Sequence, residues 1–234
     1  MDLLIDGDIV AFKCAFIAEN MSEAEATQLA DDFLGNAADY YLTFLARAKY
    51  GNSQIFLTGK ESFRKEVDPT YKENRKDKAK PKHLEAIRQH LIDKWDAKVS
   101  KNGYEADDSL GYLQTKATEQ STVIFSIDKD LLQIPGYHFN FDNNTLTYVL
   151  PYQGLKQFYL QMLIGDPVDN VKGVDGVGKV GADKLLKGLL TEEQMFQIVQ
   201  EQYADDARML KNSRLLWIKR ADKENPVEQR LETK

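Results

Sequence analysis

Cysteine is nearly absent from the 234 residues: Cys14 is the only one. A single thiol closes no internal disulfide, so the fold rests on packing and a reducing compartment is expected. Histidine is also scarce, limited to His83, His90 and His138. With one cysteine beside them, these offer no ligand spacing for a zinc site. Six prolines and 14 glycines are too few for a collagenous or linker-like chain. No apolar run approaches the roughly 18 residues of a membrane span. The first residues, Asp2-Leu3-Leu4-Ile5, read as a strand rather than a basic, apolar leader. A cytoplasmic protein with no membrane partner is the expectation. What is present, 42% apolar and 29% charged residues, belongs to a globular chain of one large domain or one domain with a small appendage.

Net charge is −6, from 31 basic and 37 acidic residues, which ordinarily argues against a nucleic-acid partner. The distribution reverses that. From Lys60 to Lys82 nine Lys and Arg stand among five acids, a local +4 that leaves −10 for the remainder. There Phe63-Arg64-Lys65 and Tyr71-Lys72-Glu73-Asn74-Arg75-Lys76 interleave cations with rings, as a surface that tracks phosphates and stacks on bases does. The plain alternative is a solvated charged face. A basic island in an acidic chain favours a functional arm.

Periodicity divides the chain into alternating elements. Residues 2–5 form a buried strand ending at Asp6-Gly7-Asp8. The capping box Ser22-x-x-Glu25 opens a long helix carrying Leu29, Phe33, Ala37, Tyr40, Tyr41 and Phe44 to a stop at Gly51. Gln54 to Leu57 is a second strand, and a helix runs from about Lys82 to Trp95 after Pro81. Another helix follows Gly103 with Ala106, Leu110, Leu113 and Ala117 on one face. Thr122 to Ile127 is the clearest buried strand. The alternation predicts an α/β fold, a mostly parallel central sheet with helices on both faces. Strand ends in such sheets open into one crevice, which places Asp6 near Asp128 and Asp130. From Tyr152 the pattern is helical, with a second capping box at Thr191-x-x-Gln194. The expected division is a core over 1–151 and a helical subdomain over 152–234, whose charged tail from Ala221 reads as a solvated end.

Acids fall in four groups: Asp6 and Asp8; Glu105, Asp107 and Asp108; Asp128 and Asp130; Asp166 and Asp169. If these converge, mutual repulsion raises their pKa values unless cations neutralise them. Mg²⁺ or Mn²⁺ suits carboxylate oxygens, and no softer ligand set exists here. Two such ions activate a water and stabilise the leaving oxygen of a phosphodiester. The competing reading is that acids at helix starts and turns complement the macrodipole and cap the backbone. On an ideal helix Glu105 and Asp108 share a face and Asp107 lies on the other flank, so all three serve one site only if the helix begins near them.

Gly176-Val177-Gly178-Lys179-Val180-Gly181 matches G-x-G-x-x-G, but loop-like residues precede it where a dinucleotide fingerprint needs a strand. A helix-hairpin-helix turn fits better, its glycines admitting a DNA phosphate to backbone amides and its carbonyls seating a monovalent cation such as K⁺. A plain glycine turn between helices is the alternative.

Taken in order, these markers resemble the 5′-nuclease family, which includes bacteriophage 5′-to-3′ exonucleases, flap endonucleases, the phage ribonuclease H and the nuclease domain of bacterial DNA polymerase I. The carriers are Ile5-Asp6-Gly7-Asp8, Phe63-Arg64 with Tyr71-Lys72-x-Asn74-Arg75, Glu105-Ala106-Asp107-Asp108, Ser126-Ile127-Asp128-Lys129-Asp130, Gly165-Asp166-x-x-Asp169-Asn170 and Gly173-Val174-x-Gly176-Val177-Gly178-Lys179. The resemblance spans nearly the whole chain. It implies a PIN-like nuclease core, a basic helical arch around 60–95 and a helix-three-turn-helix DNA-binding subdomain. It also implies that Asp6, Glu105, Asp107, Asp108, Asp128, Asp130, Asp166 and Asp169 bind two Mg²⁺ or Mn²⁺ ions. By the same likeness Lys72 and Arg75 reach the scissile phosphate at the arch base. Tyr71 stacks on the terminal base pair, Lys13 contacts the phosphate region, and Arg64, Lys76, Gly176, Gly178 and Lys179 bind DNA. The implied reaction is hydrolysis near 5′ ends of DNA, flaps or RNA/DNA hybrids, by a monomer in the cytoplasm, or the host cytoplasm if viral.

One departure stands out. The family commonly carries an Asp at the second strand end, where this chain reads Phe56-Leu57-Thr58-Gly59-Lys60. Asp8 is a candidate replacement carboxylate. Two other readings stay open: a DNA-binding protein that has lost its chemistry, and a haloacid-dehalogenase-like phosphatase using Asp6 as nucleophile and Asp8 as acid/base.

Overall fold

A computed structural model describes residues 1–44 and 52–232, with backbone alone for residues 37–44. The expected stop at Gly51 and the side chains of Ala37, Tyr40, Tyr41 and Phe44 lie outside the described residues.

The sheet has six strands: β1 (Asp2–Asp6), β2 (Ser53–Leu57), β3 (Lys98–Val99), β4 (Thr122–Phe125), β5 (Gly136–Asn140) and β6 (Thr145–Val149). Their order is β3-β2-β1-β4-β5-β6. Ile5 of β1 lies opposite Ile55 on one side and Phe125 on the other, both in parallel register. The β2–β3 and β4–β5 pairs are parallel too, and β6 returns antiparallel on β5. The chain builds outward from β1, then crosses back to start β4 on its other side. The carboxyl ends of β1 and β4 therefore flank the switch point where such sheets open a crevice.

Alternation of side chains along each strand loads both faces. Leu3, Ile5, Ile55, Leu57, Val123 and Phe125 pack under α1 (Gly7–Ile17), α2 (Glu23–Phe44) and α4 (Leu84–Trp95). Leu4, Phe56 and Ile124 point the other way, against Leu110 of α5 (Ala106–Lys116) and Ile218. Burial on both faces is why these strands read as continuous apolar runs.

The second half is helical around its own core: α6 (Pro151–Ile164), α7 (Lys179–Leu185), α8 (Glu192–Tyr203) and α9 (Asp206–Leu216) enclose Phe158, Met162, Val199, Met209 and Trp217. Between α6 and α7 lies a small hairpin, β7 (Gly165–Asp166) and β8 (Val171–Lys172). Gly165 adopts φ +78°, and a Cβ there would run into the backbone of Val171 and Gly173.

One expectation needs correction. The tail from Ala221 is not a solvated end: α10 (Pro226–Glu232) buries Val227, and Arg214 of α9 pairs with Glu228 at 2.8 Å and with Glu232. Its charged face supplied the composition that read as solvated. Within the segment around 60–95 expected to form a basic helical arch, the helix expected from about Lys82 to Trp95 is present as α4. From 60 to 82 the chain makes a single turn, α3 (Arg64–Val67), and a 3₁₀ turn at Glu73–Arg75, so α4 is the only long helix of the segment. Asp68 accepts hydrogen bonds from the Thr70 amide and hydroxyl across Pro69, and this side-chain turn stops α3.

Candidate active site

Asp6 ends β1 and starts α1 at once. Its carboxylate, 2% exposed, accepts the Ile9 amide at 3.1 Å as an N-cap and the Ser126 hydroxyl at 2.8 Å. The strand turns directly into the helix because Gly7 follows; a Cβ there would sit 2.7 Å from Ile55 Cγ2 and the Phe56 carbonyl. Across the switch point the loop after β4 is ordered by its own acids. The Asp128 amide donates to Ser126 Oγ at 3.0 Å, and the Asp130 amide donates to Asp128 Oδ1 at 2.8 Å.

These groups share one electrostatic neighbourhood. Burial, and next the Asp8 charge, push the Asp6 carboxyl up to about 7 against its hydrogen bonds. Burial followed by Asp6 and Asp128 drives Asp107, in the first turn of α5, well above the carboxylate range. Asp130 is pushed up to about 7 by burial and then by Asp128, Asp166 and Asp169. Asp166 is raised by burial and by Asp169. Asp6 and Asp128 thus act on Asp107, and Asp128, Asp166 and Asp169 act on Asp130, which links acids from both halves of the chain electrostatically.

Cations border these acids on one side. Lys72 sits at φ 57°, donates its amide to the Asp169 carbonyl at 3.0 Å, and places Nζ 2.7 Å from Glu105 and 3.5 Å from Asp169. Arg75 pairs with Asp169 and donates Nε to the Val168 carbonyl at 3.1 Å. Asn74 donates to the Pro167 carbonyl at 2.9 Å, so the whole basic turn docks on the 166–169 loop. Burial alone would raise Glu105, but Lys72 and then Arg64 hold it below the usual range.

Among the described residues no three His, Cys, Asp or Glu side chains are grouped to hold a metal ion. The donor chemistry nevertheless fits hard divalent cations. The carboxylates are all-oxygen and short of positive charge, and the Lys72 ammonium already stands between two of them.

Several sequence-derived assignments change. Asp108 is fully buried, bound by Arg64 at 2.7 and 2.9 Å and by the Lys219 and Glu105 amides at 3.0 Å each, so it belongs to a strut and not to the crevice. Arg64 is buried too; it also donates to the Leu215 and Trp217 carbonyls at 2.8 and 2.9 Å, so four of its five N–H groups are committed inside the fold. Tyr71 is packed in the helical core, its hydroxyl donating to Asp169 at 2.8 Å, and cannot stack on a base pair from there. Lys13 pairs with Asp142 and lies over the Phe33 and Phe141 rings. Asp8 does sit beside the second strand end, as its proposed role requires. Its two oxygens are taken by the Thr58 amide at 2.9 Å and by Arg88 of α4. Lys76 pairs with Glu73 at the surface, Gly176 and Gly178 lie in an exposed turn before α7, and Lys179 is the exposed first residue of that helix. The helix of α5 begins at Ala106, with Glu105 as its extended cap, which frees Glu105 and Asp107 to face the crevice while Asp108 turns inward.

Other participants were not visible in the sequence. Thr58 stands where the expected Asp is missing: it accepts the Ala106 amide at 2.9 Å through its hydroxyl, and its carbonyl accepts Arg88 at 2.6 Å. Gln161 of α6 donates to Asp130 at 2.5 Å. Its only sequence signal is a polar residue breaking the apolar face of Phe158 and Met162.

Known proteins resemble this chain in sequence and in fold. Residues 2–153 match the model of the 5′-3′ exonuclease N-terminal, resolvase-like domain. DNA polymerase I of Bacillus caldotenax is 27% identical over 226 residues, 85% of this chain and 24% of that protein. The 5′-3′ exonuclease of Mycoplasmopsis pulmonis is 30% identical over 109 residues, 42% of this chain and 37% of that one. The chain spans about a quarter of the length of the polymerase relatives. Among solved structures, the phage T5 5′-exonuclease with zinc superposes with TM-score 0.68 at 18% identity, over 92% of this chain and 89% of that one. The bacteriophage T5 flap endonuclease in complex with DNA and metal ions gives 0.65 at 18%, over 90% and 86%.

Proposed function

Since the chain belongs to the 5′-3′ exonuclease family, we propose that it hydrolyses DNA phosphodiesters near 5′ ends, as exonuclease, flap endonuclease or both, with RNA/DNA hybrids among its substrates. The observation that carries this reading is the acidic crevice at the β1/β4 switch point, short of positive charge and bordered by the Lys72–Arg75 turn. Asp6, Glu105, Asp107, Asp128, Asp130, Asp166 and Asp169 are the residues to hold two Mg²⁺ or Mn²⁺ ions. Such ions, when bound, supply an activated water and stabilise the charge on the leaving 3′-oxygen.

The remaining work belongs to the chain's own side chains. Lys72 leaves Glu105 and Asp169 for a phosphate and offsets charge developing on its oxygens, while Arg75 presents a planar fork that grips it. The Ser126 hydroxyl and the Ile9 amide hold the Asp6 carboxylate in place. Further along the duplex, Gly176-Val177-Gly178-Lys179 offers amides and an ammonium to backbone phosphates. Open space where a Cβ would stand at Gly176 and Gly178 lets the nucleic acid approach closely. Its carbonyls are the seat assigned to K⁺. No helix among the described residues is long and apolar enough to cross a membrane; a cytoplasmic monomer accords with this role.

The test is hydrolysis of duplex, 5′-flap and RNA-primed DNA, labelled separately at 5′ and 3′ ends, with Mg²⁺, Mn²⁺ or EDTA and with Asp128→Ala. Metal-dependent release from 5′ ends, lost in EDTA and in the variant, is the expected result. One observation favours a second reading, DNA binding without cleavage: Thr58 occupies the strand-end position and Asp8 is held by Arg88. Tight flap binding with no product in Mn²⁺ would establish that reading instead. The phosphatase reading loses its support with family membership.

A further inference from the structure

A file of buried amides runs from the helical subdomain to the acidic crevice. Gln161 of α6 donates Nε2 to Asp130 Oδ1 at 2.5 Å and accepts Gln133 Nε2 on its own Oε1 at 2.5 Å. Gln133, fully buried in the 3₁₀ turn that begins at Asp130, also donates Nε2 to the Leu216 carbonyl at 2.9 Å at the end of α9. A backbone carbonyl only accepts, so Leu216 fixes the direction of the Gln133 amide. Gln133 in turn fixes Gln161, and a donor necessarily faces Asp130. The file is rigid as well as polarised. At Gly154, about two α6 turns before Gln161, a Cβ would collide with the Gln133 carbonyl, so the helix lies directly on the turn. Arg220 Nη2 holds the same carbonyl at 2.6 Å from behind.

Burying two glutamines costs free energy unless their bonds do something an apolar pair cannot. Leucine or methionine would fill the space without leaving Gln133 Oε1 unpaired. What the amides achieve is to pin one oxygen of a carboxylate that Asp128, Asp166 and Asp169 all repel. We propose that Gln161, backed by Gln133, is a positioning residue that fixes the Asp130 carboxylate for divalent-cation binding. The proposal rests on the metal-dependent reading given above. It adds that the orientation of one ligand is set from α6, the helix that leads into the exposed glycine turn.

Loss of an outer partner of a metal ligand typically costs about 10–100-fold in metal affinity. Mn²⁺ binding is to be measured without DNA, by electron paramagnetic resonance, for the whole chain, for Gln161→Met and for Gln133→Met, with Mg²⁺ titrations of cleavage alongside. Gln161→Met is expected to weaken Mn²⁺ binding about 10-fold or more, with Gln133→Met less affected. It should also raise the Mg²⁺ needed for half-maximal cleavage, and excess Mg²⁺ should restore the rate. Unchanged Mn²⁺ affinity in a folded Gln161→Met protein, or a rate loss that Mg²⁺ does not restore, overturns the proposal. If Gln161→Met does not fold, the Gln133→Met affinity decides in the same way. A wild-type chain that binds no Mn²⁺ instead overturns the metal reading beneath it.

Discussion

Lys72 holds an unusual backbone angle, φ 57°, and is the charge through which the crevice connects to the basic segment. Its ammonium meets Glu105 and Asp169 in the absence of substrate. Lys72→Ala should therefore lower single-turnover cleavage by about 10²–10³, the magnitude of a lost transition-state donor, while flap affinity in a binding assay with Ca²⁺ changes little. A loss confined to affinity would mean that Lys72 only tethers DNA. Arg64 behaves oppositely. It is buried against Asp108 and two carbonyls, and removing one partner of such a pair costs about 3–5 kcal/mol. Arg64→Met should show that loss in urea denaturation, and binding per folded molecule should be unchanged. The contrast explains what the sequence concealed. Arg64, Lys72 and Arg75 are equally basic on paper, and only tertiary burial separates the strut from the groups that face the crevice.

At the level of elements, the acidic positions were legible because strand ends and helix starts can be read from local pattern. The β1 terminus at Asp6, the cap at Glu105 and the loop after β4 all lie where the apolar runs stop. The folding of residues 60–82 was not legible, since nothing local tells a charged turn docked on a loop from a charged helix. Nor was the lateral fixing of α2 against α4. Asp31 of α2 accepts hydrogen bonds from His90 at 2.8 Å, Lys94 at 2.6 Å and Trp95 at 2.7 Å, all of α4. Its burial is more than offset by the Lys94, Trp95 and His90 bonds, which hold the carboxyl down at about 2. A depressed carboxylate contributes stability above its unfolded value of 3.8 and loses it as pH falls toward 2. Asp31→Asn should thus cost about 1–2 kcal/mol at neutral pH. The gap to wild type, followed by thermal denaturation, should close between about pH 4 and pH 2. A gap that persists at low pH would locate the effect in packing instead.

Across the whole molecule, the two halves are joined by polar contacts that no periodicity announces: Arg64 to the end of α9, Lys72 and Arg75 to the 166–169 loop, Gln133 to Gln161. The mostly parallel sheet and the helical second half followed from alternation of elements, whereas the division at 151 separates acids that the proposed metal site draws from both sides. The closing helix α10 is part of this unit. Deleting residues 222–234 removes the buried Val227 and the partners of Arg214. Burial of that side chain is worth about 1.5–3 kcal/mol, so calorimetry should show a drop of roughly 3–10 °C in Tm. The acids of β1, α5, the β4 loop and the β7–β8 hairpin are proposed to make one divalent-cation centre. Anomalous diffraction from crystals grown with Mn²⁺ tests it most directly. Two manganese peaks are expected in the crevice, ligated from among Asp6, Glu105, Asp107, Asp128, Asp130, Asp166 and Asp169, with Asp108 still bound to Arg64. An empty crevice at saturating Mn²⁺, or manganese bound by Asp108, would contradict it.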